Sequence, residues 1–242
     1  MDFKVCGTAK GITAVQMAAE DVCEQLFRVA AERLGVPARE LALEDGAVVA
    51  ATGRLAYPEV LANRFGMSGG ELIGRGVVAP GRTAAPLGGS TPFWEMAAGA
   101  AEVSLDEETG AVRVERYVSG ADVGRAVNPL LLEGQDEGGV VQGLGHTLFE
   151  EMVYEEGHLL NGTLLAYRVP RADDVPRDLE CRFVENADGS GPFGAKGAGE
   201  GSLIPVSPAV ANALARLAGV RLRDLPLTPE RVWRALRTRG SR

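Results

Sequence analysis

The chain has 242 residues, 45% hydrophobic and 24% charged, so it can bury a full core as one large domain or two small ones, and disorder is excluded. Its formal net charge of -8 argues against a nucleic-acid groove, because phosphate binding needs a clustered basic face. Three cysteines without CxxC spacing predict reduced thiols, and exclude a disulfide framework and a zinc or iron–sulfur site.

The first third of the sequence predicts two helices that flank a hairpin. Residues 14–35 carry apolar side chains at helical spacing and end at a glycine. Residues 40–50 contain an Asp-Gly pair between two short apolar runs, which is typical of a β-hairpin. Residues 57–66 predict a second helix with proline in its first turn. Glycine and proline then dominate residues 66–92, which predicts mostly loop and edge strand.

The remaining two thirds begin with the strongest strand pattern, a long hairpin over residues 100–124. Residues 128–151 form a helical pattern with many glycines, which indicates close approach of the helix backbone to a neighbour or ligand. The later predicted elements are strands at 164–170 and 178–186 and helices at 207–219 and 225–236. The order α, ββ, α, ββ, α, ββ, α, α predicts an α+β fold and excludes a repeating βαβ chain.

The glycine-rich segment GPFGAKGAGEGS, residues 191–202, contains a single carboxylate, Glu200. Loops of this composition usually bind anions through bare backbone N–H groups, and a carboxylate would repel a phosphate. A P-loop is excluded because Lys196 is followed by Gly197, and a dinucleotide loop is excluded because Ser202 replaces its third glycine. Neither a zinc-binding histidine motif nor a serine nucleophile elbow occurs, so no hydrolase machinery is visible.

Four segments carry a family resemblance: GADVGRAVNPLLLEGQDEGGVVQGLGHTLFEE, LLAYRVPRADDVP, GAKGAGEGSLIPVSPAVANAL and LPLTPERVW. In this order they resemble the C-terminal half of the molybdopterin subunit of the xanthine dehydrogenase and aldehyde oxidase family of molybdenum hydroxylases. The resemblance covers nearly the whole chain. It implies hydroxylation of a nitrogen heteroaromatic or an aldehyde carbon by water-derived oxygen, with Glu200 as the base beside molybdenum and Gln135 as a pterin contact.

A carboxylate suits such a loop because it can take a proton as the oxygen attacks an electron-poor carbon. The resemblance also implies cofactor contacts by Lys196, Gly197 and Gly199, since glycine lets the backbone approach closely. Simpler interpretations remain open at this point. Glu200 could be a surface turn acid, Gln135 could satisfy neighbouring backbone groups, and Lys196 could be an exposed loop lysine instead of orienting Glu200 or a pterin oxygen.

The implied cofactor is molybdopterin, alone or as its cytosine dinucleotide, while no metal ligand is assigned to this chain. Iron–sulfur clusters and FAD are expected on partner chains, because no cluster ligands occur here. The other expected partners are a separate chain with the N-terminal half of the subunit and a small-molecule substrate. No apolar run approaches the roughly 18 residues of a membrane span and no signal peptide is visible, so a cytoplasmic protein without a membrane partner is expected.

We expect residues 1–242 to form a single molybdopterin-binding region of two packed α+β lobes, residues 1–90 with 203–242, and residues 91–202. Family subunits are much longer, and their N-terminal part supplies further pterin contacts and most substrate-gating side chains. Either the chain is a split subunit or it is a truncated, degenerate or excised fragment, and the retained Gln135 and Glu200 favour the first. Two other functions remain open: a non-catalytic structural or interaction module, and a nucleotide-binding domain.

Overall fold

The computed structural model describes residues 3–66, 70–78 and 94–239, and the chain divides into two compact units. We call residues 9–81 the small unit, and residues 82–242 with 1–8 the large unit. This division differs from the predicted lobes, because residues 203–242 belong with 91–202 and not with 1–90. None of the helices in the described residues is long and apolar enough to cross a membrane.

Most of the small unit is a helix, a three-stranded antiparallel sheet and a second helix. The elements are α1 (Phe3–Leu34), of which residues 9–34 belong to this unit, β1 (Ala42–Glu44), β2 (Ala47–Ala50), β3 (Gly53–Ala56) and α2 (Tyr57–Phe65), with strand order β1-β2-β3. Its core contains Leu26, Ala30, Leu41, Val48 and Val60. The predicted hairpin and second helix are confirmed, but α1 begins earlier than predicted and β3 was missed. Residues 53–56 are too short for a sequence pattern, and the pairing with β2 makes them a strand.

The large unit is built on a mixed three-stranded sheet with strand order β4-β5-β8. Its elements are β4 (Ala97–Leu105), β5 (Val112–Asp122), α3 (Pro129–Leu148), a small hairpin of β6 (Tyr154–Glu155) and β7 (His158–Leu159), β8 (Asp178–Val184), α4 (Val206–Ala218) and α5 (Pro229–Arg239). The hairpin of β4 and β5 is antiparallel, as predicted. Strands β5 and β8 run parallel, and the intervening segment contains α3, as a parallel connection requires.

Helices α3 and α4 meet each other in the core of the large unit. Buried side chains from the sheet and from the helices form one cluster, which includes Val114, Tyr117, Val140, Leu144, Val206, Val210, Leu214, Leu227 and Val232. A Cβ atom on Gly143 of α3 would overlap the side chain of Val206 at the start of α4. Gly143 therefore allows the close approach that the sequence pattern indicated, whereas Gly134 and Gly138 face open space.

The predicted strand at residues 164–170 is wrong. The carbonyl of Thr163 accepts hydrogen bonds from the amides of Ala166, at 2.9 Å, and Tyr167, at 2.8 Å, so the chain turns here. The leucines that suggested a strand are exposed, 81% for Leu164 and 100% for Leu165. In the predicted loop region, residues 70–78 have no regular secondary structure, and most of the other residues up to 92 lie outside the described ranges. The mixture of helices and antiparallel hairpins confirms the α+β fold.

Candidate functional site

Helix α3 and the glycine-rich loop are joined by hydrogen bonds at two successive residues of the helix. Gln135 Nε2 donates to the carbonyl of Gly199 at 2.7 Å. Ser202 Oγ donates to the carbonyl of Asp136 at 3.1 Å. One turn further along, a Cβ atom on Gly139 would overlap Ser202 Oγ. The two predicted functional segments therefore lie together, although they are far apart in the sequence.

Glu200 is partly buried and precedes a 3₁₀ turn, Gly201–Leu203, that leads into α4. Its carbonyl accepts a hydrogen bond from the amide of Leu203 at 3.2 Å. A Cβ atom on Gly201 would overlap the carboxylate of Glu95, so this glycine allows a second acidic side chain to contact the loop beside Glu200. Sequence reasoning missed Glu95, because a single acid before a strand carries no motif.

A small recess with a cavity volume of about 10 Å³ lies between α3 and the loop. Its lining includes Glu95, Gln135, Asp136, Ala198 and Gly199. This volume is about that of one water molecule, so the cavity does not enclose a ligand, and a ligand would contact the lining residues from outside. Of the predicted cofactor-binding residues, the lining contains Gln135 and Gly199, and it does not contain Lys196 or Gly197.

Lys196 has a different environment from the one predicted. Its side chain is buried, with the residue 7% exposed, so the interpretation as an exposed loop lysine is wrong. The Nζ atom lies 2.7 Å from Asp122 Oδ2 and 2.7 Å from Asp188 Oδ1. The ammonium group is therefore held by these two carboxylates, and we call the three residues the ion triad. Gly197, the next residue, is also buried.

Hydrogen bonds within the ion triad favour the ionised forms of Asp122 and Lys196. Burial disfavours the charged form of Asp122, but hydrogen bonds from Lys196 and from the amide of Gly124 lower its pKa below the ordinary value. Burial likewise disfavours the charged form of Lys196, but its hydrogen bonds to Asp122 and Asp188 raise its pKa. Both shifts favour the charged forms, so the pair carries opposite charges at neutral pH.

A buried polar cluster lies next to Gln135, between α3 and the sheet. Asp136 is 6% exposed, and its Oδ2 atom, Tyr117 Oη and Ser119 Oγ have no hydrogen-bond partner within the described part of the chain. Burial, followed by a hydrogen bond to Asp136, raises the pKa of the Cys181 thiol, which is therefore protonated at neutral pH. Over residues 3–66, 70–78 and 94–239, no group of three or more His, Cys, Asp or Glu side chains could hold a metal ion.

Comparison with known proteins gives a consistent set of relatives. A family model described as the molybdopterin cofactor-binding domain matches residues 6–176, a range that contains Gln135 and ends before Glu200. The probable hypoxanthine oxidase XdhD of Escherichia coli (strain K12) is 33% identical over 233 residues, which are 95% of this chain and 23% of that protein. The nicotine 6-hydroxylase large subunit of Paenarthrobacter nicotinovorans is 35% identical over 229 residues, 91% of this chain and 28% of that protein.

Among solved structures, quinoline 2-oxidoreductase from Pseudomonas putida 86 has the same fold over 98% of this chain and 30% of its own chain. The TM-score is 0.78 at 29% sequence identity. The chain thus spans less than a third of the length of each of these three proteins.

Proposed function

Because this chain belongs to the molybdopterin cofactor-binding domain family of the xanthine dehydrogenase and aldehyde oxidase type, we propose that it forms one wall of a molybdenum hydroxylase active site. The proposed reaction adds water-derived oxygen to a carbon of a nitrogen heteroaromatic or an aldehyde. The hydrogen bond between Gln135 and Gly199 carries the proposal, because it joins the predicted pterin-binding helix to the loop of the predicted base, Glu200.

The polar groups that surround the cavity suit contact with the edge of a pterin outside it. Gln135 donates one amide hydrogen to the carbonyl of Gly199, so its Oε1 atom and its second amide hydrogen can bind a ligand. Two carboxylates, Glu95 and Asp136, line the same cavity and would repel a phosphate group, whereas they can accept hydrogen bonds from ring N–H groups. We therefore assign Gln135 and Gly199 to cofactor contact. Lys196 instead anchors the loop through its ion pair with Asp122.

The mechanism assigns one chemical task to this chain. When bound, the cofactor would supply the acceptor for the hydrogen and the two electrons that leave the substrate carbon. Glu200 would take the proton from the water-derived oxygen as that oxygen attacks the carbon. The glycines on both sides of Glu200 keep bulky side chains away from the reacting atoms, and the hydrogen bonds to α3 hold the loop in register. The electrons would leave through iron–sulfur and flavin groups on partner chains.

Cofactor retention tests the role of Gln135. We expect Gln135→Ala to lower the molybdenum and pterin content of the purified complex more than it lowers turnover per bound molybdenum, because the side chain binds and does not react. Metal analysis and release of the pterin measure the content. Gln142→Ala, an exposed glutamine on the same helix, is the matched control and should leave the content unchanged. Equal losses in both variants would remove Gln135 from the cofactor site.

An apolar segment of the large unit supports the need for a partner chain. Seven large apolar side chains are exposed between residues 152 and 165: Met152, Val153, Tyr154, Leu159, Leu160, Leu164 and Leu165. Concentrations of exposed apolar side chains often mark protein interfaces. More than two thirds of the length of these relatives lies outside the part that this chain matches. We propose that a chain carrying the remainder of the subunit covers this segment.

Substitution of two of these leucines tests the interface. We expect the double variant Leu164→Ser and Leu165→Ser to weaken binding to the partner chain at least ~10-fold, because burial of each leucine contributes ~1.5–3 kcal/mol. The melting temperature of the chain alone should not fall, because both side chains are exposed. Ile73→Ser, at an exposed apolar position of the small unit, is the control. Co-purification of the double variant at wild-type yield and affinity would contradict the proposed interface.

A further inference from the structure

The ion triad connects three separate parts of the large unit behind the glycine-rich loop. Asp122 ends β5, Asp188 lies in the segment after β8, and Lys196 lies in the loop itself. Asp122 Oδ2 also accepts a hydrogen bond from Asn186 Nδ2 at 3.0 Å. Lys196 of the loop and Asn186 of the segment after β8 thus both bind the carboxylate of Asp122. Movement of the loop, of this segment or of the end of β5 would therefore break contacts with the other two.

Backbone hydrogen bonds also connect the loop and the segment after β8 to the residues at the end of β5. The amide of Lys196 donates to the carbonyl of Val123 at 2.9 Å, and the amide of Ala187 donates to the carbonyl of Gly124 at 3.0 Å. Gly124 has a φ of +67°, and a Cβ atom there would overlap the carbonyl of Gly194. The loop therefore lies against the end of β5 with no space for a side chain between them.

Between the ion triad and Glu200 the chain is Gly197-Ala198-Gly199, which has no side chain larger than a methyl group. Such a segment has high conformational freedom unless it is held at both ends. The Gln135 hydrogen bond to Gly199 holds the end near Glu200, and Lys196 holds the other end. The position of Glu200 thus depends on both anchors.

We propose that the ion triad is a positioning device that fixes the backbone before Glu200 and so sets the location of its carboxylate. Lys196 acts through the loop and touches no reacting atom, so it is a positioning residue and not a catalytic one. This inference rests on the proposed function for its effect on turnover, whereas its effect on the loop can be measured without the cofactor.

The test uses Asp188→Asn, which keeps the shape of the side chain and removes one negative charge from Lys196. Asp188 is half-exposed, so the variant is expected to fold. Hydrogen exchange of the full chain, followed by mass spectrometry, should show at least ~10-fold faster exchange in residues 187–201 than in the wild type. In the assembled complex, kcat per bound molybdenum should fall at least ~10-fold with KM nearly unchanged, because misplacement of a reacting group by about 1 Å can cost ~10² in rate.

Two further variants complete the test. Asp188→Glu keeps the charge and should restore part of the lost turnover. Asp178→Asn removes one partner of an exposed ion pair with Arg116, at 3.0 Å, in the same unit, and should change neither exchange of the loop nor kcat. Unchanged exchange of residues 187–201 in Asp188→Asn would overturn the proposal, as would faster exchange with normal turnover in a complex whose turnover Glu200→Gln abolishes.

The result for the ion triad can be distinguished from the result for the proposed function. If Glu200 is not the base, Glu200→Gln will retain turnover per molybdenum, and this result contradicts the catalytic assignment directly. Hydrogen exchange in Asp188→Asn still reports whether the ion triad holds the loop.

Discussion

Turnover per bound molybdenum is expected to fall by at least ~10²–10⁴ in Glu200→Gln, the range attributed to general base catalysis. Glutamine keeps the length and most of the hydrogen bonding of glutamate but cannot accept the proton at neutral pH. Folding and cofactor content should therefore persist. The measurement is kcat in the assembled complex, normalised to molybdenum content, with a heteroaromatic or aldehyde substrate that the wild-type complex oxidises.

Two control variants place the effect at Glu200. Glu137→Gln changes an exposed acid of α3 outside the lining of the cavity, and it should leave kcat unchanged. Glu95→Gln changes the second carboxylate beside the loop and should alter cofactor content more than turnover, because Glu95 lines the cavity. If Glu95→Gln abolishes turnover and Glu200→Gln does not, the base has been assigned to the wrong carboxylate.

Glu200→Asp extends the same argument to geometry. Aspartate keeps the proton acceptor but withdraws it by about one methylene, and a shift of about 1 Å can cost ~10² in rate. A loss of this size in Glu200→Asp, together with the larger loss in Glu200→Gln, would show that both the charge and its position matter. Such a pattern is expected only if the carboxylate acts on the reacting atoms.

The family resemblance implied that Gln135 and Glu200 serve one cofactor site, because each lies in a long, recognisable motif, but the sequence did not predict the hydrogen bond between Gln135 and Gly199. It also did not predict the burial of Lys196, because the partners of this lysine, Asp122 and Asp188, come from other parts of the chain. No local pattern shows whether a loop lysine is buried. Glu95 was missed for a related reason, since its contact with the loop depends on the absence of a side chain at Gly201.

Local sequence patterns predicted some elements of the secondary structure, whereas other elements depend on contacts between distant parts of the chain. In the hairpin of β4 and β5, residues 102–105 and 112–115 alternate between polar and apolar, so the local pattern was sufficient to predict the hairpin. Residues 164–170 have the composition of a strand, but their apolar side chains are not buried against the unit, and the backbone of Thr163 closes a turn instead. If these side chains are buried by a partner, the pattern reflects an interface and not an internal strand.

Lys196→Met is expected to have the largest effect on stability, a loss of ~3–5 kcal/mol in the free energy of unfolding of the large unit. The substitution leaves the carboxylate of Asp122, whose side chain is 15% exposed, without its positive partner, and removal of one member of a buried ion pair typically costs this much. Asp188 contributes less, because it is half-exposed and its charge is screened by water. Both tryptophans, Trp94 and Trp233, belong to the large unit, so their fluorescence during urea unfolding reports on this unit.

The double variant Lys196→Met with Asp122→Asn distinguishes two causes of lost stability: the unpaired charge of Asp122, and lost packing around the Lys196 side chain. Removal of the unpaired carboxylate should restore part of the lost stability, which would not occur if only the packing of the lysine methylene groups mattered.

The stability that the ion triad contributes depends on pH with a defined sign. Because folding lowers the pKa of Asp122, its contribution is present above the unfolded pKa of about 3.9 and is lost as the pH falls through the folded value. The difference in stability between the wild type and Lys196→Met should therefore narrow at acid pH, and a difference that stays constant down to pH ~3 would contradict an electrostatic role for the ion triad.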